Sequence, residues 1–322
     1  MEQNESAKPE EVVEIQNFFE PDAPHITQTA IKPPLKSNIW IMILFILILY
    51  AAILVGGNLI MAVLGAPAVA IFFVLFILLG LLWFLIVPLV FKIPQKYESL
   101  KHFFRDIKLS KAKPIFLTIS LGLMTAAITI GCISLSSTIA TINGGDFTVN
   151  AKQYFQESGY FIYYSLIPGF WEEVAFRGVI LVLLLKVYSR TKAIIIDGLV
   201  FGFFHLVNML ILGVYTLETI VPVLFQVLFA SALGMFFAYM CVKTNSLLPG
   251  IICHYLIDAF VIMFLPGTVP NFYIFLTTHA LIGIGVLPAI LNSLLIWGVY
   301  KLISKESTLV KPEIVKTVVN EK

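Results

Sequence analysis

Long apolar runs, broken only by short charged or Pro/Gly-bearing stretches, leave this chain one class of fold. About 20 apolar residues are enough to cross a hydrocarbon core as a helix. The 322-residue chain is 59% hydrophobic and 12% charged, with a mean hydropathy of +0.95. Membrane-spanning segments are expected at about 39–63, 68–91, 114–138, 158–186, 193–212, 217–241, 247–265 and 273–300. In lipid, every backbone polar group must find an internal partner, so only helices or closed barrels can span. The runs here are continuous and rich in Leu, Ile and Phe rather than alternating, which argues against a barrel. The expected fold is therefore all-α: a polytopic membrane bundle of about eight transmembrane helices. Gly65-Ala66-Pro67 is expected to break the first pair.

The basic residues fall into a pattern that orients such a bundle. Lys32 and Lys36 precede the first segment, and Lys92, Lys96, Lys101, Arg105, Lys108, Lys111 and Lys113 follow the second. Lys186, Arg190 and Lys192 lie between the fourth and fifth, Lys243 between the sixth and seventh, and Lys301 and Lys305 after the eighth. All these loops lie on one side of an eight-helix bundle, while the opposite loops carry only Lys152. The positive-inside rule then predicts cytoplasmic termini, and a plasma-membrane location is expected. Residues 92–113 are basic and amphipathic and are expected on the membrane surface. The first 38 residues form an acidic segment, expected to be disordered and without a secretory signal. A net charge of +2 gives no ground for a nucleic-acid partner. Cys132, Cys241 and Cys253 sit in apolar segments without paired spacing and are expected as buried thiols, not disulfides.

Three stretches place charge where lipid forbids it: Glu172-Glu173-x-x-x-Arg177, Phe201-x-x-x-His205 and His254-x-x-x-Asp258. An ionisable side chain at bilayer depth costs about 2.5–3.5 kcal/mol by insertion scales, so it faces a partner or a watery cavity. Counted along the helices, Glu172 lies roughly 21 Å in from Lys186, His205 roughly 20 Å from Lys192, and His254 roughly 17 Å from Lys243. Similar depths point to one shared cavity inside the membrane. Glu173 and Arg177, four apart, are expected to pair. Glu172 points about 100° away and is left as the free carboxylate, the candidate base. Phe201 is expected to pack beside His205. His254 and Asp258 share a face, where the Asp could ligate a metal or hold the imidazole from behind. Pro168-Gly169 can kink the helix before Glu172. Asp197 is expected near the membrane interface, Asn208 and His279 as packing residues, and His25 and His102 in water. Gln226 is expected to hydrogen-bond within the bundle, and Glu218 to start a helix.

Taken in order, these motifs, together with Trp171–Gly178, Phe201–His205 and Asn245–His254, resemble the CPBP (Abi) family of intramembrane endopeptidases, which includes the type II CAAX prenyl endopeptidases. The resemblance covers about residues 158–265, and the remaining stretches 39–157, 266–300 and 301–322 match nothing usable. It implies an active site within the bilayer and a CAAX-type intramembrane metalloendopeptidase. Glu172 would activate water, His205 and His254 would position it, Asp258 would assist the second His, and Glu173 and Arg177 would shape the site. It also implies a Zn2+ ion, held by Glu172, His205, His254 and Asp258, or a metal-free glutamate mechanism with the same residues. Two His and a carboxylate can hold a catalytic zinc that lowers the pKa of its water to about 7. The expected partners are membrane lipid and a peptide or lipidated protein; the oligomeric state is left open. Two other readings use the same residues: a non-proteolytic immunity or regulatory protein on this scaffold, and a proton-coupled transporter. A transporter would favour matched halves, whereas the intramembrane charge here is confined to the second half.

Overall fold

The computed structural model describes residues 36–65, 67–90, 92, 99–109, 114–146, 152, 161–213, 215–264 and 271–309. The acidic N-terminal segment and the C-terminal tail from residue 310 lie outside the described residues. Every regular element is helical, as the continuous apolar runs require. In chain order they are α1 (Lys36–Val63), α2 (Ala68–Leu81, continued by a π-wound stretch Leu82–Val90), α3 (Leu100–Asp106) and α4 (Ile115–Ile142). Next come α5 (a π-helix Ile167–Ile180, continued by Leu181–Leu185), α6 (Arg190–Phe204), α7 (Val207–Leu212) and α8 (Leu217–Thr244). The series ends with α9 (Leu248–Phe260), α10 (Phe272–Thr278) and α11 (Val286–Leu309). The chain is thus an all-α polytopic membrane bundle.

Among the described residues, six stretches are long and apolar enough to cross a membrane: Asn38–Ile60, Val69–Val90, Ile115–Ile142, Arg190–Ile211, Thr219–Thr244 and Ile274–Ile303. The other two expected spans are the helical segments α5 and α9, and these hold most of the embedded charge. They are enclosed by the longer helices: α9 lies against both α4 and α5, and α8 packs on α6 and α11. An all-round apolar helix can face lipid, whereas one carrying Glu and Arg must be sheltered by its neighbours.

Close approach of backbones builds this shelter. On α6, a Cβ added at Gly198 would lie 2.5 Å from the Met235 backbone nitrogen, and one at Gly202 would lie 2.6 Å from the Val227 carbonyl. Gly234 on α8 faces Gly198 in return. With no hydrophobic drive between helices in lipid, such small-residue contacts are the means of packing α6 on α8. At Gly169, an added Cβ would meet the Tyr255 backbone at 2.7–2.8 Å, so α5 and α9 also touch through glycine. On α4, Thr125, Thr129 and Ser136 are buried and hydrogen-bond to carbonyls of their own helix. They therefore present no unmet donor to the core.

The described part of the basic segment after α2 packs on the bundle through its apolar residues. Ser99 caps α3 by accepting from the His102 amide, and Phe103 and Ile107 are fully buried against the bundle. The Lys108 carbonyl accepts from the Leu247 amide at 3.3 Å. The apolar face of this amphipathic stretch packs on the bundle where Gly178 leaves room for Ile107: a Cβ at Gly178 would lie 3.2 Å from the Ile107 Cβ.

Candidate active site

The helix bearing the two glutamates begins with Pro168, whose missing N–H costs nothing in a first turn. It then winds as a π-helix, which the sequence pattern does not reveal; such winding is rare and concentrates at functional sites. Along it, Glu173 and Arg177 are almost completely buried and Glu172 is partly exposed.

The expected pair forms: Arg177 Nη1 donates to Glu173 Oε1 at 3.1 Å. Arg177 is tied further than its motif suggests. Its Nη2 donates to the Gly234 carbonyl at 3.0 Å, and its Nε lies 3.5 Å from Asp197 Oδ2. The guanidinium also stands over the Phe201 ring at 4.3 Å from the centroid, close enough for a cation–π contact. Asp197 is thus not an interfacial residue but a fully buried counter-charge. Position along α6 does not say which face is buried, and packing of α6 on α8 draws its Gly198 face into the core. A second ionisable group in the apolar run of His205 was the available signal.

Glu173 has a second partner. His254 Nδ1 donates to Glu173 Oε1 at 2.9 Å. A carboxylate already held by Arg177 can only accept here, so Nδ1 carries hydrogen and Nε2 is left facing outward. That nitrogen lies 3.4 Å from Asp258 Oδ2 and 3.8 Å from Glu172 Oε2. The second distance is an ion-pair separation, too long for a hydrogen bond. Glu172 Oε2 is buried and has no hydrogen-bond partner in the protein, while the Glu172 side chain as a whole retains 13% exposure. The two neighbouring glutamates are therefore divided: one is fixed from two sides, the other is free.

His205 joins through Phe201. Its Nδ1 lies 2.9 Å from the Phe201 carbonyl, which can only accept, so the remaining nitrogen presents a lone pair. The Phe201 ring stands edge-on to both imidazoles, at 4.9 Å from His205 and 5.9 Å from His254. Phe237 stacks on His254 from the other side at 5.1 Å. Two helices, α5 and α9, thus bring Glu172, Glu173, Arg177, His254 and Asp258 into one charged group, and α6 adds Asp197 behind Arg177 and His205 across a single aromatic ring. Gly250, one helical turn before His254, makes the grouping possible: a Cβ there would sit 2.9 Å from Glu173 Oε2. Neither Gly250 nor the Gly234 carbonyl stood out in the sequence, because their roles depend on which helix lies opposite.

Both imidazoles direct Nδ1 to an acceptor and leave the other nitrogen available, as metal-binding histidines do. Among the described residues, however, no group of three or more His, Cys, Asp or Glu side chains has the geometry to hold a metal ion.

The other polar expectations resolve as packing. Asn208 donates to Gln226 at 2.9 Å. His279 is buried, 3.3 Å from Ser136 and stacked on Phe275. All three cysteines are free and buried.

Residues 155–260 match the family described as type II CAAX prenyl endopeptidase Rce1-like. This segment, about a third of the chain, is similar to that family. The match encloses every motif residue and the helices α5, α6, α8 and α9 that carry the group. At the level of the family, the Rce1-like segment supports a CAAX-type intramembrane protease acting on a peptide or protein substrate. No curated protein and no solved structure matches the chain.

Proposed function

We propose that this Rce1-like protein is an intramembrane endopeptidase that hydrolyses a peptide bond in a membrane-associated, lipidated protein or peptide. The observation that carries the reading is the division of labour between adjacent glutamates. Arg177 and His254 hold Glu173, which leaves Glu172 unpartnered within 3.8 Å of His254 Nε2. A bystander charge cluster would pair all its members, since an unpaired buried carboxylate costs stability and gives nothing back.

Glu172 takes a proton from water as the oxygen attacks the scissile carbonyl. The developing oxyanion needs donors, and His254 Nε2, oriented by Glu173 and Asp258, is one when protonated. The His205 imidazole helps to hold the water. The proton on Glu172 then passes to the leaving amine, so base and acid are the same group at successive steps. Phe201 and Phe237 wall the histidines from lipid. An apolar groove of about 210 Å³, lined by Phe76, Leu166, Phe170, Ile251, Ile252 and Tyr255, opens beside α5 and suits a hydrocarbon chain. The basic loops support an orientation with both termini in the cytoplasm, in the plasma membrane.

The test is cleavage of a panel of prenylated and unprenylated peptides by the purified protein in detergent. Glu172→Gln and His254→Ala are each expected to reduce turnover by about 10²–10⁴-fold while remaining folded. Zn2+, which the family resemblance implies, is examined by adding a chelator and then restoring the metal. Cleavage that persists in both folded variants refutes the assignment and favours a carrier or regulatory role.

A further inference from the structure

Tyr50 lies in α1, far outside the family-matched segment. It sits on the inward stripe Ile39, Ile43, Ile46, Tyr50, whose spacing puts all four on one helical face. The residue is fully buried, yet its hydroxyl has no hydrogen-bond partner in the protein. A phenol in a bundle core normally finds one.

Its ring contacts lead toward the candidate active site. The ring stacks on Phe204 at 5.1 Å and 16°, and meets Trp83 edge-on at 5.5 Å. Phe204 immediately precedes His205 and stands edge-on to Phe176 of α5. The phenol lies within electrostatic reach of both Glu172 and Glu173. Of these two, Glu173 is already satisfied, whereas Glu172 Oε2 is also buried and without a partner. An orphan donor and an orphan acceptor therefore share one interior. Two polar groups too far apart for a direct bond are joined at little cost by one ordered water.

We propose that Tyr50 is a positioning residue for Glu172: its hydroxyl, carried into the site by α1, donates through one bridging water to Glu172 Oε2. The inference rests on the endopeptidase reading for its consequence, but not for its geometry. It gives the N-terminal helices a role in the chemistry beyond enclosing the charged segments. Stacking on Phe204 holds the ring rigid, so the hydroxyl is presented from a fixed direction. The carboxylate is then held with one oxygen anchored and the other free to face the reacting water. Without the anchor, the carboxylate samples orientations that do not reach that water, so turnover falls while substrate binding persists.

Two measurements test this. The first needs no substrate. 3-Fluorotyrosine is placed at position 50 and its ¹⁹F resonance is recorded in wild type, in Glu172→Gln and in Arg105→Gln on the distant basic loop. The resonance is expected to move in Glu172→Gln and to stay in place in Arg105→Gln. An unmoved resonance in Glu172→Gln overturns the proposal. The second compares Tyr50→Phe with wild type on a farnesylated peptide. The variant keeps the ring and its stacking, so thermal stability is expected to be retained. We expect kcat to fall about 10- to 100-fold, the size of one hydrogen bond to a charged group, with KM within about twofold. Tyr188→Phe, which also deletes one hydroxyl, should leave both constants unchanged. Unchanged kcat in Tyr50→Phe, or a rise in KM alone, refutes positioning. If wild type cleaves nothing, the endopeptidase reading fails, and the fluorine resonance still decides the contact between Tyr50 and Glu172.

Discussion

Removal of the Arg177 guanidinium should damage the fold before it damages the chemistry. In Arg177→Met the buried volume is roughly kept, but three attachments are lost. These are the 3.1 Å bond to Glu173, the 3.0 Å bond to the Gly234 carbonyl and the 3.5 Å ion pair with Asp197. Breaking a buried ion pair by deleting one partner costs about 3–5 kcal/mol, because the other charge is stranded. Here Asp197 is stranded and Glu173 keeps only the His254 bond, and both carboxylates are buried. The cation–π contact with Phe201 adds about 1–2 kcal/mol when desolvated. A destabilisation of about 4 kcal/mol or more is expected, a large share of a total stability of about 5–15 kcal/mol. The assay is equilibrium unfolding in mixed micelles followed by tryptophan fluorescence. Glu172→Gln is the control, expected within about 1 kcal/mol of wild type because Oε2 makes no direct hydrogen bond to another protein group and the amide oxygen can still accept from water. The triple variant Arg177→Met, Glu173→Gln, Asp197→Asn removes the stranded charges and should recover about half of the loss. Arg177→Met within about 1 kcal/mol of wild type would refute the network, and no recovery in the triple variant would mean that packing, not charge, was lost.

Three further outcomes follow from the same geometry. Gly250→Ala places a methyl 2.9 Å from Glu173 Oε2, so it should displace His254 and lower cleavage by about 10-fold or more while the protein still folds; an unchanged rate would show that the Glu173–His254 contact does not set turnover. Gly198→Val drives a branched side chain into the Met235 backbone and should cost about 1–3 kcal/mol or prevent folding, read by the same unfolding assay. His279→Phe removes a buried contact with Ser136 far from the glutamates and should leave cleavage within about twofold of wild type, at a cost of about 1 kcal/mol in stability.

Much of the site was legible along the chain because lipid makes charge conspicuous. Glu172, Glu173, Arg177, His205, His254 and Asp258 stand out from apolar surroundings whatever the fold, and i,i+4 spacing alone couples Glu173 to Arg177 and His254 to Asp258. Asp197 carried the same signal but was placed at the interface, because position along a helix does not say which face is buried. Tyr50 carried none: a tyrosine in an apolar run is unremarkable until the helix opposite is known.

The sequence by itself determined that the chain is a helical membrane bundle, since period and length in an apolar solvent admit little else. It also singled out most of the ionisable groups that gather inside the bundle, though not the burial of Asp197. Only the tertiary structure decided how those groups divide. His254 could have served either glutamate, and its bond to Glu173 is what leaves Glu172 free. That choice depends on the glycine contacts at Gly169 and Gly250, which set the distance between α5 and α9. Tertiary structure likewise decided that Tyr50 of α1 stacks on Phe204, the neighbour of His205, more than a hundred and fifty residues away. Contacts between helices distant in sequence are governed by shape and packing, and no local pattern encodes them.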